Sequence, residues 1–448
     1  MDIVIIGNGI SGITAARWIR KLSDHRIKVI SSESDHFYSR TALMYIYMGH
    51  MRYEDTKPYE DWFWDKNRIE LIRGHVDSVD PEKKILKLGS TELSYDKLII
   101  ACGSKSNKFG WPGQDLKGVN GLYHLQDLEE MENYSKGLNR AVIVGGGLIG
   151  IEMAEMFHSR NIPVTMLVRE QNYWDNVLPL EESKMISRHI LEHHIDLRLG
   201  VNLDSISDNG QGVCNGVTVK ETGEYIACGY VGLTPGVSPN VAFLKSSGVE
   251  VNRGVLIDQH LRTNYPDVYA IGDCAELRDP DPGRKSIEAV WYTGRMMGET
   301  VAYNICGREV PYHPGIWVNS AKFMDIEYQV YGTVPNLIKD PLDSFYWEHS
   351  NGKISVRIVY EKASMVVKGF NVMGIRFRHE VCEKWIVENT RMDQVMEDLT
   401  LANFDPEFYQ THEKEIIAKY NSITGSNIKM KKRKGLNRVL QFLKTTTH

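Results

Sequence analysis

Hydrophobic residues along the chain alternate between short continuous runs and helical repeats, a pattern typical of buried parallel strands separated by helices. Residues 2–6 form such a run, a helical repeat follows, and residues 27–30 form a second run. The same order returns later, with runs over 141–144 and 164–168 separated by a helix that starts at Leu148. The pattern therefore predicts an internal repeat of one βαβ design.

The pattern changes beyond about residue 314. Apolar and polar residues alternate over 326–330, 344–347 and 354–360, and a helical repeat follows over 380–388. Strict alternation is typical of strands with one face buried and one face exposed. The chain is therefore expected to end in a separate α+β region after its two βαβ repeats.

Three glycines follow the first strand directly, at Gly7, Gly9 and Gly12, and Glu33 stands 21 residues beyond the last of them. A helix N-terminus carries partial positive charge and free N–H groups, which favour a pyrophosphate. Glycine permits a close approach that a Cβ would block, and a carboxylate accepts from ribose hydroxyls. Strand, turn, helix, strand and acid in this order predict a dinucleotide site.

The second repeat carries the same signature, with glycines at Gly145, Gly147 and Gly150 and an acid, Glu170, 20 residues later. A third motif, residues 267–273, lies about 260 residues downstream of the first turn and ends in an acidic side chain at a strand end. Such a carboxylate is suited to the hydroxyl-bearing middle of a long cofactor. We expect this motif to complete the first site, with the intervening residues forming an inserted domain.

Composition narrows the class of protein. At 448 residues the chain is long enough for two to three domains, and 42% hydrophobic with 25% charged residues is ordinary for a globular protein. A net charge of −5 gives no reason to expect nucleic acid. The N-terminus lacks a secretory pattern, and the most apolar stretch, 141–157, is too short and polar to span a bilayer. Six cysteines without a CxxC pair predict a reduced, cytoplasmic protein without a metal site.

Further motifs carry a resemblance to a known family. Tyr38-Ser-Arg40-Thr-Ala-Leu43 follows the first repeat, and residues 95–104 read YDKLIIACGS, with cysteine where the family has threonine. With the third motif, this order over about residues 1–310 resembles the two-dinucleotide-binding-domain flavoproteins of the pyridine nucleotide–disulfide oxidoreductase superfamily. The branch it resembles contains ferredoxin and rubredoxin reductases and the flavin domain of assimilatory nitrite reductase.

The resemblance implies an α/β fold with two Rossmann-like domains, an NAD(P)-binding domain inserted in an FAD-binding domain, and an α+β C-terminal interface domain. The implied boundaries are 1–110 and 243–313 for the FAD-binding domain, 111–242 for the NAD(P)-binding domain, 314–425 for the interface domain and 426–448 for a basic amphipathic tail. The C-terminal domain often forms a homodimer interface in relatives, so we expect a homodimer.

The resemblance also assigns the candidate site residues. Those expected to contact FAD are Gly7, Gly9, Ser11, Gly12, Glu33, Arg40, Ala101, Cys102, Gly103, Gly272, Asp273 and Trp291. Those expected to contact the nicotinamide nucleotide are Gly145, Gly147, Leu148, Ile149, Gly150, Glu152, Arg169, Glu170 and Gly236. No residue is required as a general acid or base, and Glu152 and Tyr45 are the candidates for a direct role in catalysis. Tyr45 stands where ferredoxin reductase-like members often place a lysine near flavin N5.

The implied activity is that of an FAD-dependent NAD(P)H oxidoreductase, with hydride passing from NADH to flavin N5 and electrons then leaving to a protein or small-molecule acceptor. Residues 37–48 contain no cysteine, which argues against a thiol relay and favours a ferredoxin- or rubredoxin-like partner. Glu170 favours NADH and Arg169 favours NADPH; NADH is preferred.

Two alternatives stay open. One is an NADH oxidase that uses dioxygen. The other is a flavin-binding assembly or interaction subunit with a degenerate nicotinamide site, which Tyr45 and Val168 keep open because Val168 occupies the usual position of the ribose acid. The motifs do not identify the electron acceptor.

The C-terminal end is strongly basic. Residues 421–448 contain seven Lys or Arg and no acid, with apolar residues at a helical spacing. A solvated end and a docking helix both suit this composition. Our hypothesis is that the tail docks an acidic partner or an anionic membrane surface.

Overall fold

The computed structural model describes residues 1–404, 406–407 and 410–431. The chain divides into two compact units. The first unit comprises residues 1–174 and 190–315, and the second comprises 175–189 and the chain from 316 onward. The four domain boundaries inferred from the sequence stay predictions. Within the described ranges, every helix is too short or too polar to cross a lipid bilayer.

The strands are numbered in chain order. They are β1 (Asp2–Ile6), β2 (Arg26–Ser31), β3 (Ile69–Arg73), β4 (Ser78–Asp80), β5 (Ile85–Leu88), β6 (Thr91–Ser94), β7 (Lys97–Ile100), β8 (Ser104–Ser106), β9 (Val119–Asn120), β10 (Ala141–Val144), β11 (Val164–Val168), β12 (Asp196–Leu199), β13 (Leu203–Asp208), β14 (Cys214–Val219), β15 (Tyr225–Ala227), β16 (Tyr230–Leu233), β17 (Val237–Pro239), β18 (Val255–Ile257), β19 (Val268–Ala270), β20 (Ala275–Leu277), β21 (Val318–Phe323), β22 (Ile326–Gly332), β23 (Leu342–Glu348), β24 (Ser355–Glu361) and β25 (Val367–Met373).

The helices are numbered in the same way. They are α1 (Ile10–Leu22), α2 (Leu43–Tyr47), α3 (Trp62–Lys66), α4 (Leu125–Ser135), α5 (Leu148–Ser159), α6 (Leu180–Glu192), α7 (Trp291–Ile305), α8 (His379–Val387), α9 (Met392–Glu397) and α10 (Glu413–Thr424). Short 3-10 turns lie at Arg40–Ala42, Tyr53–Thr56, Ala242–Leu244, Gly272–Cys274 and Leu399–Leu401.

The first unit contains two parallel five-stranded sheets. The first has the order β19-β7-β1-β2-β3 and the second has the order β12-β11-β10-β16-β9. Their central strands β1 and β10 are the apolar runs identified in the sequence, and Val4, Ile5 and Val142 are fully buried. Strand β19 follows the second sheet in sequence but pairs with β7 in the first. The chain therefore leaves one sheet, completes another and returns, which confirms the predicted α/β fold.

The second unit is built on an antiparallel sheet of order β21-β22-β25-β24-β23. The predicted strands over 326–330, 344–347 and 354–360 correspond to β22, β23 and β24, and the predicted helix over 380–388 corresponds to α8. Strands β21 and β25 were not predicted from the sequence. Beneath this sheet, Arg357 donates to both carboxylate oxygens of Glu182, at 2.7 and 2.9 Å, in a buried ion pair.

Candidate dinucleotide-binding sites

Two positions of the first glycine turn, Gly7 and Gly12, are packed too tightly for any side chain. Gly7 has φ of +111°, and a Cβ there would lie 2.1 Å from the carbonyl oxygen of Ala101. A Cβ on Gly12 would lie 2.1 Å from the carbonyl oxygen of Gly7. Both neighbours are backbone atoms, which cannot move aside as a flexible side chain could. The close packing of the turn against the end of β7 and the start of α1 therefore requires glycine at both positions.

The middle glycine of this turn faces open space. Gly9 is the N-cap of α1, and a Cβ built on it has no described atom within 4 Å. Within the described part of the chain no side chain caps this helix end, and its first turn contains no acid. The N–H groups of the first turn are therefore available to an anion. This geometry fits a pyrophosphate group.

Ser11 lies where α1 meets the third sequence motif. Cβ atoms built on Gly272 and Gly294 would lie 2.3 and 2.5 Å from the Ser11 hydroxyl oxygen, and one on Gly298 would lie 2.6 Å from the Ser11 carbonyl oxygen. The Gly272 N–H also donates to the sulfur of Met297 at 3.2 Å. Glycines on α7 thus allow α1 to pack closely, and this packing brings the Asp273 turn beside the first glycine turn.

Glu33 is held by a ring of donors. Its carboxylate accepts from both guanidinium nitrogens of Arg40 (3.0 and 2.6 Å), the hydroxyl of Tyr38, a ring nitrogen of His124 (3.2 Å) and the N–H of Leu125 (3.1 Å). Burial works against its ionisation. The hydrogen bond from His124 and the charge of Arg40 outweigh burial and hold the pKa of Glu33 well below its ordinary value. Glu33 is therefore a fixed negative charge.

Arg40 and Tyr123 connect Glu33 to Asp273. Arg40 donates to the carbonyl oxygen of Tyr123, and its guanidinium lies 4.4 Å from the centre of the Tyr123 ring. The Tyr123 hydroxyl donates to Asp273 at 2.9 Å and accepts from the Ser104 N–H at 2.9 Å. Burial raises the pKa of Asp273 above its ordinary value. Glu33 and Asp273, the two acids predicted to contact one cofactor, therefore belong to one connected cluster.

Cys102 and Gly103 border the same cluster. A Cβ on Gly103, whose φ is +66°, would lie 2.8 Å from the Tyr123 hydroxyl oxygen. The Cys102 thiol donates to the carbonyl oxygen of Asn240 at 3.2 Å. A hydrogen bond with Cys274 and burial raise the pKa of the Cys102 thiol well above its ordinary value. A reactive thiolate is therefore disfavoured, which favours a packing role.

Two aromatic candidates lie further out. Trp291 is the first residue of α7 and is 37% exposed, beside exposed Tyr292. Tyr45 lies half-buried on α2, with its ring centre 6.1 Å from that of His50. The contacts described for Tyr45 do not join it to the Glu33–Asp273 cluster.

The second glycine turn repeats the geometry of the first. Gly145 has φ of +129°, with a Cβ 2.5 Å from the carbonyl oxygen of Thr234, and a Cβ on Gly150 would lie 2.6 Å from the carbonyl oxygen of Gly145. Gly147 is the N-cap of α5, and a Cβ on it meets no described atom within 4 Å. Leu148 and Ile149 supply the first N–H groups of α5. This turn fits a second pyrophosphate.

Glu152 is the titratable group closest in sequence to this turn. It is half-buried on α5, and burial, with the nearby charge of Glu155, raises its pKa to about 7. Tyr173 closes the same region, because its hydroxyl donates to the carbonyl oxygen of Gly147 at 2.6 Å. The protonation state of Glu152 therefore changes near neutral pH.

The end of β11 differs from the end of β2. Val168 is fully buried, and a Cβ on Gly146 would lie 2.6 Å from one of its methyl groups. Arg169 and Glu170 follow and pair with each other at 2.8 Å, with side chains 72% and 16% exposed. Gly236 lies apart from this pair, and its carbonyl oxygen accepts from the N–H of Asn107 at 3.0 Å.

Three residues of these sites, Tyr123, His124 and Thr234, were not predicted from the sequence. His124 is the N-cap of α4, and the carboxylate of Asp127 accepts from its backbone N–H at 2.9 Å in a capping box. Histidine is not a usual capping residue, so the sequence offered only a weak indication of this helix start. Thr234 follows β16, a strand that the sequence analysis did not identify.

The fold and the paired turns define a protein with two dinucleotide-binding sites. The chain belongs to the family described as pyridine nucleotide-disulphide oxidoreductase, whose model matches residues 1–298. This family uses FAD and NAD(P)H. The match confirms the resemblance drawn from the sequence motifs.

Known proteins similar to this chain include two electron-transfer proteins. This chain is 30% identical over 313 residues to an NADH-rubredoxin oxidoreductase from Clostridium acetobutylicum, and the match covers 69% of this chain and 76% of that protein. It is 28% identical over 310 residues to the assimilatory nitrate reductase electron transfer subunit of Bacillus subtilis, covering 68% of this chain and 39% of that protein. The chain thus spans about two-fifths of the Bacillus protein.

A solved structure supports the fold. The NAD-dependent persulfide reductase from A. fulgidus superposes with a TM-score of 0.82 at 23% identity, covering 95% of this chain and 84% of that one. At this identity the similarity shows the fold alone.

Proposed function

We propose that this protein is an FAD-dependent NADH oxidoreductase that delivers electrons to a ferredoxin- or rubredoxin-type protein. One observation carries the proposal: the two glycine turns have similar geometry, each with an open glycine at a helix N-terminus, but among the described residues only the acid that follows the first turn, Glu33, is connected to Asp273 through Arg40 and Tyr123. The first turn suits a cofactor that extends to Asp273. The second turn suits a nucleotide that binds and dissociates.

The proposed roles follow from the chemistry of the residues. FAD, when bound, supplies the hydride acceptor and releases electrons singly or in pairs. The turn at Gly9 binds its pyrophosphate, and Asp273 accepts from the ribityl hydroxyls. Since five donors already surround the Glu33 carboxylate, a ribose hydroxyl at Glu33 would replace the 3.2 Å contact of His124, the longest of these bonds. The turn at Gly147 binds the pyrophosphate of NADH.

The acceptor is proposed to be a protein rather than a disulfide. Residues 37–48 contain no cysteine, and the half-buried Cys102 thiol has a raised pKa. Electrons therefore have no thiol relay in this segment and would leave directly from the cofactor. The rubredoxin acceptor in the name of the Clostridium relative supports a small redox protein as the partner.

An anaerobic titration of the purified protein, following the flavin absorption, tests the proposal. We expect stoichiometric NADH to bleach the flavin and NADPH to do so at higher concentration. Added rubredoxin or ferredoxin should then restore the absorption. Reoxidation by dioxygen at the same rate without a protein acceptor would support an NADH oxidase instead. A bound flavin that neither nucleotide reduces would support a flavin-binding interaction subunit.

The C-terminal tail, dimerisation and location are parts of the same proposal. Residues 432–448 of the tail lie outside the described residues, while Lys431 pairs with Glu397 at 2.8 Å. Deleting 432–448 should weaken reduction of the protein acceptor and leave dye reduction unchanged; equal losses for both would contradict docking.

We propose a homodimer, to be tested by light scattering. We also propose a cytoplasmic location, which the six free cysteines favour.

A further inference from the structure

Three potential metal ligands converge in the second unit, away from both glycine turns in sequence. His349 follows β23, His412 is the N-cap of α10, and Glu415 lies in the first turn of α10. One ligand atom from each of the three lies within 4.8 Å of the other two. The two imidazole rings have centres 4.9 Å apart in an edge-to-face arrangement, and Nδ1 of His412 lies 3.9 Å from a carboxylate oxygen of Glu415.

His412 provides an independent observation. Its side chain is buried, with 6% of the residue exposed, yet neither ring nitrogen has a hydrogen-bond partner among the described residues. As the N-cap of α10 it could have bonded to the helix end, but its side chain makes no capping hydrogen bond there to any described residue. Burying an unpaired polar group costs free energy, so two such nitrogens on one ring require an explanation.

We propose that His349, His412 and Glu415 bind a divalent late transition ion, and specifically Zn²⁺. Neutral imidazole and carboxylate are ligands that Zn²⁺ accepts in tetrahedral sites, with water completing the set where the protein supplies three ligands. The ion would satisfy one nitrogen of the buried His412 ring. The absence of a metal site was predicted from the scattered cysteines. His349 and His412 are far apart in sequence and form no spacing motif that marks a metal site.

The position of the cluster defines what the ion does. His349 belongs to the turn between β23 and β24, and the other two ligands belong to the start of α10. A bound ion therefore fastens α10 to the edge of the antiparallel sheet. Ring packing already brings these elements together, since the ring centres of Trp347 and His412 lie 5.5 Å apart. The role is structural, and it is independent of the proposed oxidoreductase function.

Binding has an identifiable local cost. The Nδ1 of His349 accepts a hydrogen bond from the N–H of Asn351 at 3.2 Å. Whichever nitrogen of His349 binds the ion, this bond is lost, because Nδ1 either ligates the ion or takes the ring proton.

The test is a titration of the untagged full-length protein with Zn²⁺ alone, followed by calorimetry and by thermal unfolding. We expect one equivalent to bind and to raise Tm. His349→Gln and Glu415→Gln should each lower the affinity more than about tenfold and abolish the rise in Tm. Neither side chain is fully buried, so both variants should fold.

The matched control is His379→Gln. His379 and Glu383 form an exposed histidine–carboxylate pair at 3.2 Å on α8, also in the second unit. This variant should bind Zn²⁺ as the unaltered protein does. The proposal is overturned if submillimolar Zn²⁺ does not bind, or if binding survives either the His349 or the Glu415 substitution. Flavin content and NADH reduction should be unaffected throughout, which separates this test from that of the proposed function.

Discussion

The two glycine turns of this protein have the same backbone conformation but differ in the residues that surround them. Both begin with a glycine of positive φ packed against a carbonyl oxygen, continue with a glycine N-cap that faces open space, and end with a glycine packed on the first. The pairs in this order are Gly7 and Gly145, Gly9 and Gly147, and Gly12 and Gly150. The same sequence pattern thus produced the same local geometry twice.

The acids that follow the turns are held differently. Glu33 accepts from Tyr38, Arg40, His124 and Leu125, and through Arg40 it joins the Asp273 cluster. Glu170 has one ion pair with Arg169, a side chain that is 72% exposed. A carboxylate fixed by several donors is preorganised, whereas an exposed pair is weak and adaptable. We infer that the first site retains its ligand and the second site exchanges it.

The largest expected effect comes from filling the open glycine positions. Gly9→Val should weaken FAD binding about a thousandfold, ~4 kcal/mol, because the added side chain occupies the space in front of α1. Gly147→Val should leave FAD bound and prevent reduction by NADH. Both positions have extended φ and ψ and no described neighbour within 4 Å of a Cβ, so the fold should tolerate valine.

Flavin fluorescence after gel filtration and anaerobic NADH titration measure these two outcomes, and each variant is the control for the other. Loss of FAD in both variants would mean that the two turns are not specialised for different ligands. Retention of FAD in Gly9→Val would contradict the assignment of the first turn to the flavin cofactor.

The second prediction compares one substitution at the two acids. Arg40→Met should reduce the free energy of unfolding by about 2 kcal/mol, because it leaves the buried carboxylate of Glu33 without its cation. Arg169→Met should cost less than about 0.5 kcal/mol, because its side chain is mostly exposed. Urea unfolding of both variants, in the absence of nucleotides, gives the comparison. Equal losses would show that the two acids are held equally.

The third prediction concerns a pair of equivalent positions, two residues past each turn. Thr14 occupies this position in α1 and Glu152 in α5. The folded protein holds the pKa of Glu152 near 7, above the ordinary value of 4.5. Between these values the folded state binds more protons than the unfolded state, so this group makes the protein less stable as pH rises.

Glu152→Gln removes this titration. We expect no difference in stability at pH ~4, below the ordinary pKa, and a gain of about 1 kcal/mol at pH ~8, reduced by partial exposure from the full effect of the shift. Denaturant unfolding at both pH values measures it. A gain of equal size at both would mean that burial of the charge is not the cause.

The sequence predicted those parts of the site that depend on backbone geometry. Gly7 and Gly145 need a positive φ, which favours glycine. A strand, a glycine turn and a helix at this spacing are typical of a dinucleotide-binding site. Strands β1, β2, β10 and β11 were predicted from apolar runs, because burial on both faces leaves a continuous apolar pattern. The return of the chain to the first site was predicted from the third motif. These features are local or repeated, so they are visible along the chain.

The parts that were missed depend on contacts between distant segments. Tyr123 joins Arg40 and Asp273 only because α4 begins beside the end of β2, and nothing near Tyr123 in the sequence marks it. The same is true of His349 and His412, which the fold of the second unit brings together. Side-chain clusters of this kind are set by tertiary packing, and a single sequence carries no pattern for them.

The smallest effect should appear at the adaptable acid. Glu170→Ala removes the carboxylate expected to accept from the ribose hydroxyls of NADH and frees Arg169 to approach a 2′-phosphate. We expect the ratio of kcat/KM for NADH to that for NADPH to fall about threefold to fivefold, below ~1 kcal/mol. Glu33→Ala, at the equivalent position of the first site, should lower FAD content without changing this ratio. An unchanged ratio in Glu170→Ala, or a changed ratio in Glu33→Ala, would contradict the assignment of NADH to the second turn. Either result would mean that residues other than those at the end of β11 select the nucleotide.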